Sequence, residues 1–455
     1  MNLLITNTQE EQPYLILRCL RHVADRVVVT VSEGNLFKRW SGIPAWSRHV
    51  SKRYTAPDCS ADWRAGRIQA GNTPAEENYI RRIEEICAKE HIDVIFPSYD
   101  AEVYVFAKNK ARMAAQGIVT VVPEYGTLTR ILDKDLTLKA ALAAGFPIPA
   151  TRVPGNRAEL LAGAAELAPP WVLKPRCNAH GANIRLARDL DELEAIFNEL
   201  SEIQPRPLLQ EYVPALTKRS YYLVVSPRFE VVALYSPQVL RYRKIGMRTP
   251  SAVVETTSNV PLVEEILALV RKLGIWGGMT AQTIVDARDG IPRLMEINPR
   301  FGHNLWYRTE FGVNEPLMYL RLAQGQPVGE VPTLPDGVLL LDPLWDILHL
   351  LGLCVDQAKH WLRKRFRTAG YDASTFDAES IPRLLRDYKS EYFSRRPRVT
   401  NPLNRGWLSD PLPPLIRISR TILYELIRRR TVARKLSQQR PEHTGVKTDT
   451  KQHHE

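Results

Sequence analysis

Short apolar runs alternate with helix-spaced segments through the first quarter of the chain. Asn2 to Thr6 and Val27 to Val31 read as buried strands, and Gln12 to Leu20 between them, with Pro13 in its first turn, reads as a helix. A basic, aromatic loop over Phe37 to Arg53 follows. Ala75 to Lys89 then sets Tyr79, Ile80, Ile83 and Ile86 at helical spacing, and Asp93 to Pro97 and Val119 to Val122 read as further strands. Alternation of this kind favours a parallel sheet covered by helices. Asp100 falls just past the strand Val94 to Phe96, at the carboxyl edge where open parallel sheets bind ligands. A cap for the following helix is the competing reading.

From about residue 123 the pattern changes. Trp171 to Lys174, Asn183 to Leu186, Leu208 to Gln210, Tyr221 to Val225, Phe229 to Tyr235, Ala281 to Val285 and Arg293 to Ile297 are strand-like. Leu136 to Ala144, Asp191 to Leu200 and Leu262 to Leu273 carry helical spacing. The expectation is therefore an α/β, Rossmann-like domain over 1–122 and an α+β domain with antiparallel pairs over 123–330. A Pro-punctuated, basic helical extension follows over 331–436, with helices at Asp356 to Arg367 and Pro414 to Leu436. Residues 437–455, almost devoid of apolar side chains, read as a disordered tail.

Charge sharpens this division. The net charge is +12, yet residues 1–340 hold 40 basic and 37 acidic side chains, while 341–455 hold 22 and 13. A nearly neutral body with a basic end and no recognition motif does not read as a nucleic-acid binder. Five scattered cysteines without a CxxC pair point to reduced thiols, hence a cytoplasmic protein. The apolar stretch Val338 to Val355 is broken by Asp342, Pro343, Asp346 and His349 and is a poor bilayer span. Leu415, Ile418, Ile422, Leu423, Leu426 and Ile427 fall along one side of a helix with Arg417, Arg420 and Arg428 to Arg430 opposite. That helix either docks on the body or makes residues 415–436 a peripheral contact with an anionic membrane.

Four elements carry the chemistry: Asp133-Lys134; Val172-Leu173-Lys174-Pro175; Leu209-Gln210-Glu211-Tyr212-Val213; and Gln282 followed by Met295-Glu296-Ile297-Asn298-Pro299-Arg300. A lysine ending an apolar strand can send a point charge towards phosphates while its stem stays packed. Glu296 and Asn298, two apart on a strand, face the same side, where Gln282 from a neighbouring strand can join them. Oxygen donors bridging to phosphates suit Mg²⁺, which keeps waters and completes its shell with the nucleotide.

The order and spacing of these elements resembles the ATP-grasp superfamily, and among its branches the carbamoyl-phosphate-synthase large chains and related carboxylate-amine ligases. The resemblance implies an ATP-grasp fold and assigns Lys134 and Lys174 to ATP phosphates. It makes Gln210, Glu211, Tyr212 and Val213 the adenine-reading linker and the segment Arg176 to Asn183, with Gly181, the loop over the phosphates. Gln282, Glu296 and Asn298 become the metal donors, with Mg²⁺ expected and Mn²⁺ the alternative. Arg300 would face the transferred phosphoryl group. Asp100, His303 and Arg308 are candidates for a second substrate. That loop holds a single glycine, and no acid lies between Pro214 and Ser220 to hold a ribose.

The implied activity is ATP-dependent joining of a carboxylate to an amine through an acyl phosphate, with small-molecule substrates and a homo-oligomer compatible. Gln282 in place of a carboxylate keeps open a bicarbonate-dependent, carboxyphosphate-forming activity. The glycine-poor loop keeps open a nucleotide-binding regulator without turnover.

Overall fold

The computed structural model describes all residues except 8–10, 35–39, 41, 67, 178–182, 243–250, 367–380, 394, 406–408 and 424–455. Strands β1 (Asn2–Ile5), β2 (Arg26–Ser32), β3 (Lys52–Ala56), β4 (Val94–Phe96) and β5 (Val119–Thr120) form a wholly parallel sheet in the order β3-β2-β1-β4-β5. Helix Pro74–Glu90 begins with Thr73 and Glu76 capping each other's backbone, at 3.3 and 2.8 Å, and has Pro74 in its first turn. Its Tyr79, Ile80, Ile83 and Ile86 pack with Leu4, Val28 and Ile95 on one face of the sheet. The other face, through Leu3, Ile5 and helix Gln12–Leu20, packs against Phe301, Leu305 and helix Glu315–Ala323 from the later chain.

The second region holds two antiparallel sheets. One has the order β6-β9-β7-β8, from β6 (Thr151–Arg152), β7 (Trp171–Lys174), β8 (Arg185–Ala187) and β9 (Leu208–Glu211). The other has the order β11-β10-β14-β15, from β10 (Ala215–Val225), β11 (Val231–Tyr235), β14 (Gly277–Asp286) and β15 (Pro292–Asn298). Tyr221, Leu223, Met279, Ala281, Leu294 and Ile297 bury one face of that sheet against helices Lys134–Ala143 and Val263–Leu273. At the start of β14 a Cβ on Gly277 would lie 2.4 Å from the Tyr319 ring, so only glycine lets the strand approach that closely.

The last region departs from expectation. It is not purely helical, and a sheet crosses the boundary placed at residue 330. Strands β12 (Gln238–Tyr242) and β13 (Ser251–Glu255) pair with β16 (Leu339–Leu341) and β17 (Arg398–Thr400) in the order β12-β13-β16-β17. The apolar stretch beginning at Val338 is that central strand followed by helix Pro343–Arg365, started by Pro343. No helix among the described residues is long and apolar enough to cross a membrane.

Helix 412–423 rests on the body, but not through the face its apolar spacing suggests. Ile416 and Arg417 are buried while Leu415, Ile422 and Leu423 are exposed. Arg417 is drawn inwards by two carboxylates, Glu11 at 2.8 Å and Asp342 at 2.6 Å. Asp410, just ahead of it, accepts from Ser47 Oγ at 2.5 Å and Arg48 N at 3.1 Å. Residues 424–436 of the expected helix, and the tail after them, lie outside the described residues.

Candidate functional site

Strand parity builds the site. In β10 and β14, Tyr221 and Ala281 face the core, so their neighbours face the opposite side. The register sets Ser220 opposite Gln282 and Tyr222 opposite Thr280, and in the next pair Gln282 opposite Glu296 and Thr280 opposite Asn298. Residues directly opposite in an antiparallel pair share a face. Gln282, Glu296 and Asn298 are therefore brought together, Gln282 exposed and the other two half-buried. Asn298 Nδ2 donates to Glu296 Oε1 at 3.4 Å.

Two lysines close on this patch from separate elements. Lys134 opens helix Lys134–Ala143, whose N-cap Asp133 accepts from Asp135 N, and Asp133 is also gripped by the Arg176 guanidinium. The backbone N–H of Lys134 donates to Arg176 O at 3.1 Å, so helix start and strand exit are tied together. Lys134 Nζ lies 3.5 Å from Glu296 Oε2. Lys174, the last residue of β7, is 2% exposed. Burial, then the neighbouring Lys134 charge, lowers its pKa to about 7, with Glu296 opposing. Two lysines share one carboxylate, and a buried ammonium is costly unless paired. A polyphosphate would add negative charge beside these lysines, and a donor set of one carboxylate and two amide oxygens would suit Mg²⁺ held jointly with such a ligand. Among the described residues no group of three His, Cys, Asp or Glu could hold a metal by itself.

The linker residues separate in role. Gln210 is buried, with Nε2 donating to Thr151 Oγ1 at 2.8 Å. Glu211 turns away to accept from Ala150 N and Arg288 Nη1, both at 2.9 Å. Tyr212 is exposed and Val213 buried. Gly181 lies outside the described residues. At the edge of that loop Cys177, buried with its thiol pKa pushed up to about 11, donates its N–H to Gln204 Oε1 at 2.8 Å.

Three second-substrate or catalytic expectations are corrected or narrowed. Asp100, 3% exposed, engages the Arg300 guanidinium through two bonds of 2.8 and 2.9 Å, so these two residues form a contact between domains. Arg308 is 1% exposed, paired with buried Glu315, and lies 4.4 Å over the Tyr222 ring. It is a buried charge packed against the aromatic rings of Tyr222 and Tyr235. For His303 only the backbone, in the turn His303–Leu305, is described.

Lys218 was not among the expected site residues. It faces the same side of β10 as Ser220, two positions on, and burial lowers its pKa to about 7. Parity from Tyr221 marks it in the sequence, once the strand is known to begin at Ala215. Arg219, on the opposite parity, is held by Ser236 Oγ at 2.9 Å and Asn259 O at 2.6 Å.

Comparison with known proteins agrees with this geometry. The family model described as "ATP-grasp domain" matches residues 131–303, and that of a PylC-like N-terminal domain matches 72–122. This chain carries an ATP-grasp domain. It is 25% identical over 230 residues to the carbamoyl phosphate synthase large chain of Methanothermobacter thermautotrophicus, covering 48% of this chain and 22% of the relative. It is 26% identical over 193 residues to the uncharacterized protein y4rH of Sinorhizobium fredii, covering 40% and 39%. The chain thus spans well under half of either curated relative. The fold is shared with biotin carboxylase of Campylobacter jejuni, with a TM-score of 0.56, 16% identity and coverage of 73% and 72%. It is also shared with the biotin carboxylase domain of Hydrogenobacter thermophilus 2-oxoglutarate carboxylase, solved with MgADP and bicarbonate, with a TM-score of 0.53, 17% identity and coverage of 74% and 71%.

Proposed function

We propose that the ATP-grasp cleft of this protein binds Mg-ATP and uses it to join a carboxylate to an amine. The observation that carries the reading is the convergence of Lys134, Lys174, Gln282, Glu296 and Asn298 on one polar face, with more positive than negative charge. Lys134 and Lys174 would hold the phosphates, and Glu296, Gln282 and Asn298 the Mg²⁺. The metal supplies charge neutralisation of the transferring phosphoryl group. In the first step a carboxylate oxygen attacks the γ-phosphorus and ADP leaves. In the second an amine attacks the acyl carbon, phosphate leaves, and the amine gives up a proton. Positioning and electrostatics dominate such chemistry. The cytoplasm is the compartment this reading implies.

Gln282 in the first donor position, together with a carbamoyl phosphate synthase relative and bicarbonate-bound fold neighbours, favours one second reading: bicarbonate as the carboxylate. Hydroxylamine separates the two. With ATP and the right carboxylate, it intercepts an acyl phosphate and yields a hydroxamate. ADP released only when bicarbonate is present, without hydroxamate, assigns the second reading. ATP bound with no ADP from any carboxylate or bicarbonate contradicts both and leaves a nucleotide-binding regulator.

A further inference from the structure

Helix Pro343–Arg365 carries apolar side chains on its exposed side as well as on the side it packs. Ile347, Leu351, Cys354, Ala358, Trp361 and Leu362 are all exposed. At 100° per residue these six positions fall within a band of about 100° running the length of the helix. Ile347 is 56% exposed, Leu351 54% and Trp361 62%. The side turned towards the protein carries half-buried Trp345, Leu350 and Leu353 together with buried Asp346, which accepts from Arg241 at 2.7 and 2.8 Å and from Tyr392. A helix that only needed to pack would not also expose a continuous apolar stripe.

Charge says what covers the stripe. Lys359, Lys364 and Arg365 stand exposed around its C-terminal half, and Phe366 beyond them is 74% exposed. The neighbouring helices Ile381–Tyr392 and 412–423 add exposed Leu385, Leu415 and Ile422, and Phe393 just past the first is 82% exposed. A second copy of the chain would set one basic stripe against another. The carboxylates at the helix start, Asp342 and Asp346, are already held by Arg417 and Arg241, and Asp356 offsets Lys359 at 3.9 Å, which leaves Lys364 and Arg365 as the net charge of the helix end. Apolar and aromatic side chains rimmed by cations match the acyl boundary of an anionic bilayer.

We propose that helix Pro343–Arg365 is the membrane-facing surface of this protein and seats its stripe in the interface of an anionic leaflet, in place of the expected segment at 415–436. The test is co-sedimentation of the full chain with vesicles of phosphatidylcholine alone or with one third phosphatidylserine, beside its mass in solution. The wild type is expected to bind the anionic vesicles, more weakly as salt rises. Leu351→Glu with Trp361→Glu is expected to lose at least tenfold in binding with an unchanged melting temperature. Leu142→Glu, at an exposed apolar position in the ATP-grasp domain, is expected to change nothing. No binding to anionic vesicles, equal binding by the double variant, or a wild-type dimer that the double variant abolishes without vesicle binding would each overturn the assignment. ATP binding, measured in parallel, reports on the cleft independently.

Discussion

Arg417 and Lys174 are both almost wholly withdrawn from water, and their surroundings differ in kind. Arg417 donates to Glu11, Asp342 and the side-chain Oδ1 of Asn404, so its guanidinium is matched by acceptors. Its pKa rises, because the two carboxylates outweigh the burial that favours losing the proton. Lys174 sits beside another lysine and one carboxylate shared between them, and its pKa falls. A buried cation with matched partners holds structure together. A buried cation without enough negative charge marks a place that is completed by something brought to it.

Breaking the matched side should produce the largest effect. Arg417→Ala leaves Glu11 and Asp342 buried without their cation, which costs about 3–5 kcal/mol of stability. A melting curve or urea titration should show that loss, with ATP affinity preserved at temperatures where the variant stays folded. The cleft should respond the other way. Lys174→Ala and Lys134→Ala should each remove a proposed charge-assisted phosphate contact, about 1.5–3 kcal/mol of ATP affinity. Lys139→Ala, on the same helix as Lys134 but with its side chain 69% exposed, should leave calorimetric ATP titration unchanged. Glu296→Gln removes the one charged member of the proposed metal-donor set and should lower turnover at least tenfold, about 1.4 kcal/mol. Its melting temperature should fall less than that of Arg417→Ala, since Glu296 is half-buried rather than withdrawn from water.

Much of this contrast was legible in the sequence, and the missing part has physical causes. β1, β2, β4 and β5 announce themselves as apolar runs because the parallel sheet buries both faces. β3 does not, because Lys52-Arg53-Tyr54 lies on the sheet edge and reads as a basic loop. The first half of β10 was missed because Thr217 to Ser220 is polar where it crosses the cleft. The shared side of Glu296 and Asn298 was found by the i, i+2 rule, which needs no tertiary knowledge. The partner of Arg300 was not, since Asp100 lies 200 residues from it and no local pattern records a contact at that separation. Arg417 shows the same limit: helical periodicity placed it on the solvent side, and two distant carboxylates reversed that.

Proton uptake on nucleotide binding tests the central claim most directly. The folded-state pKa of Lys174 is lowered from 10.5 to about 7, so between those values the unfolded chain holds a proton that the ligand-free native state gives up. The ligand-free protein should therefore gain stability from this group as pH rises through that window. Phosphate beside the ammonium favours its charged form, so Mg-ATP should bind with uptake of a proton above pH 7. Titration calorimetry at pH 8, in two buffers of different ionisation enthalpy, reads that proton as a difference in heat. The account predicts net uptake in the wild type that shrinks in Lys174→Ala while Lys139→Ala keeps it. Tight Mg-ATP binding with equal heats in both buffers, or with full affinity retained in both Lys134→Ala and Lys174→Ala, would contradict it.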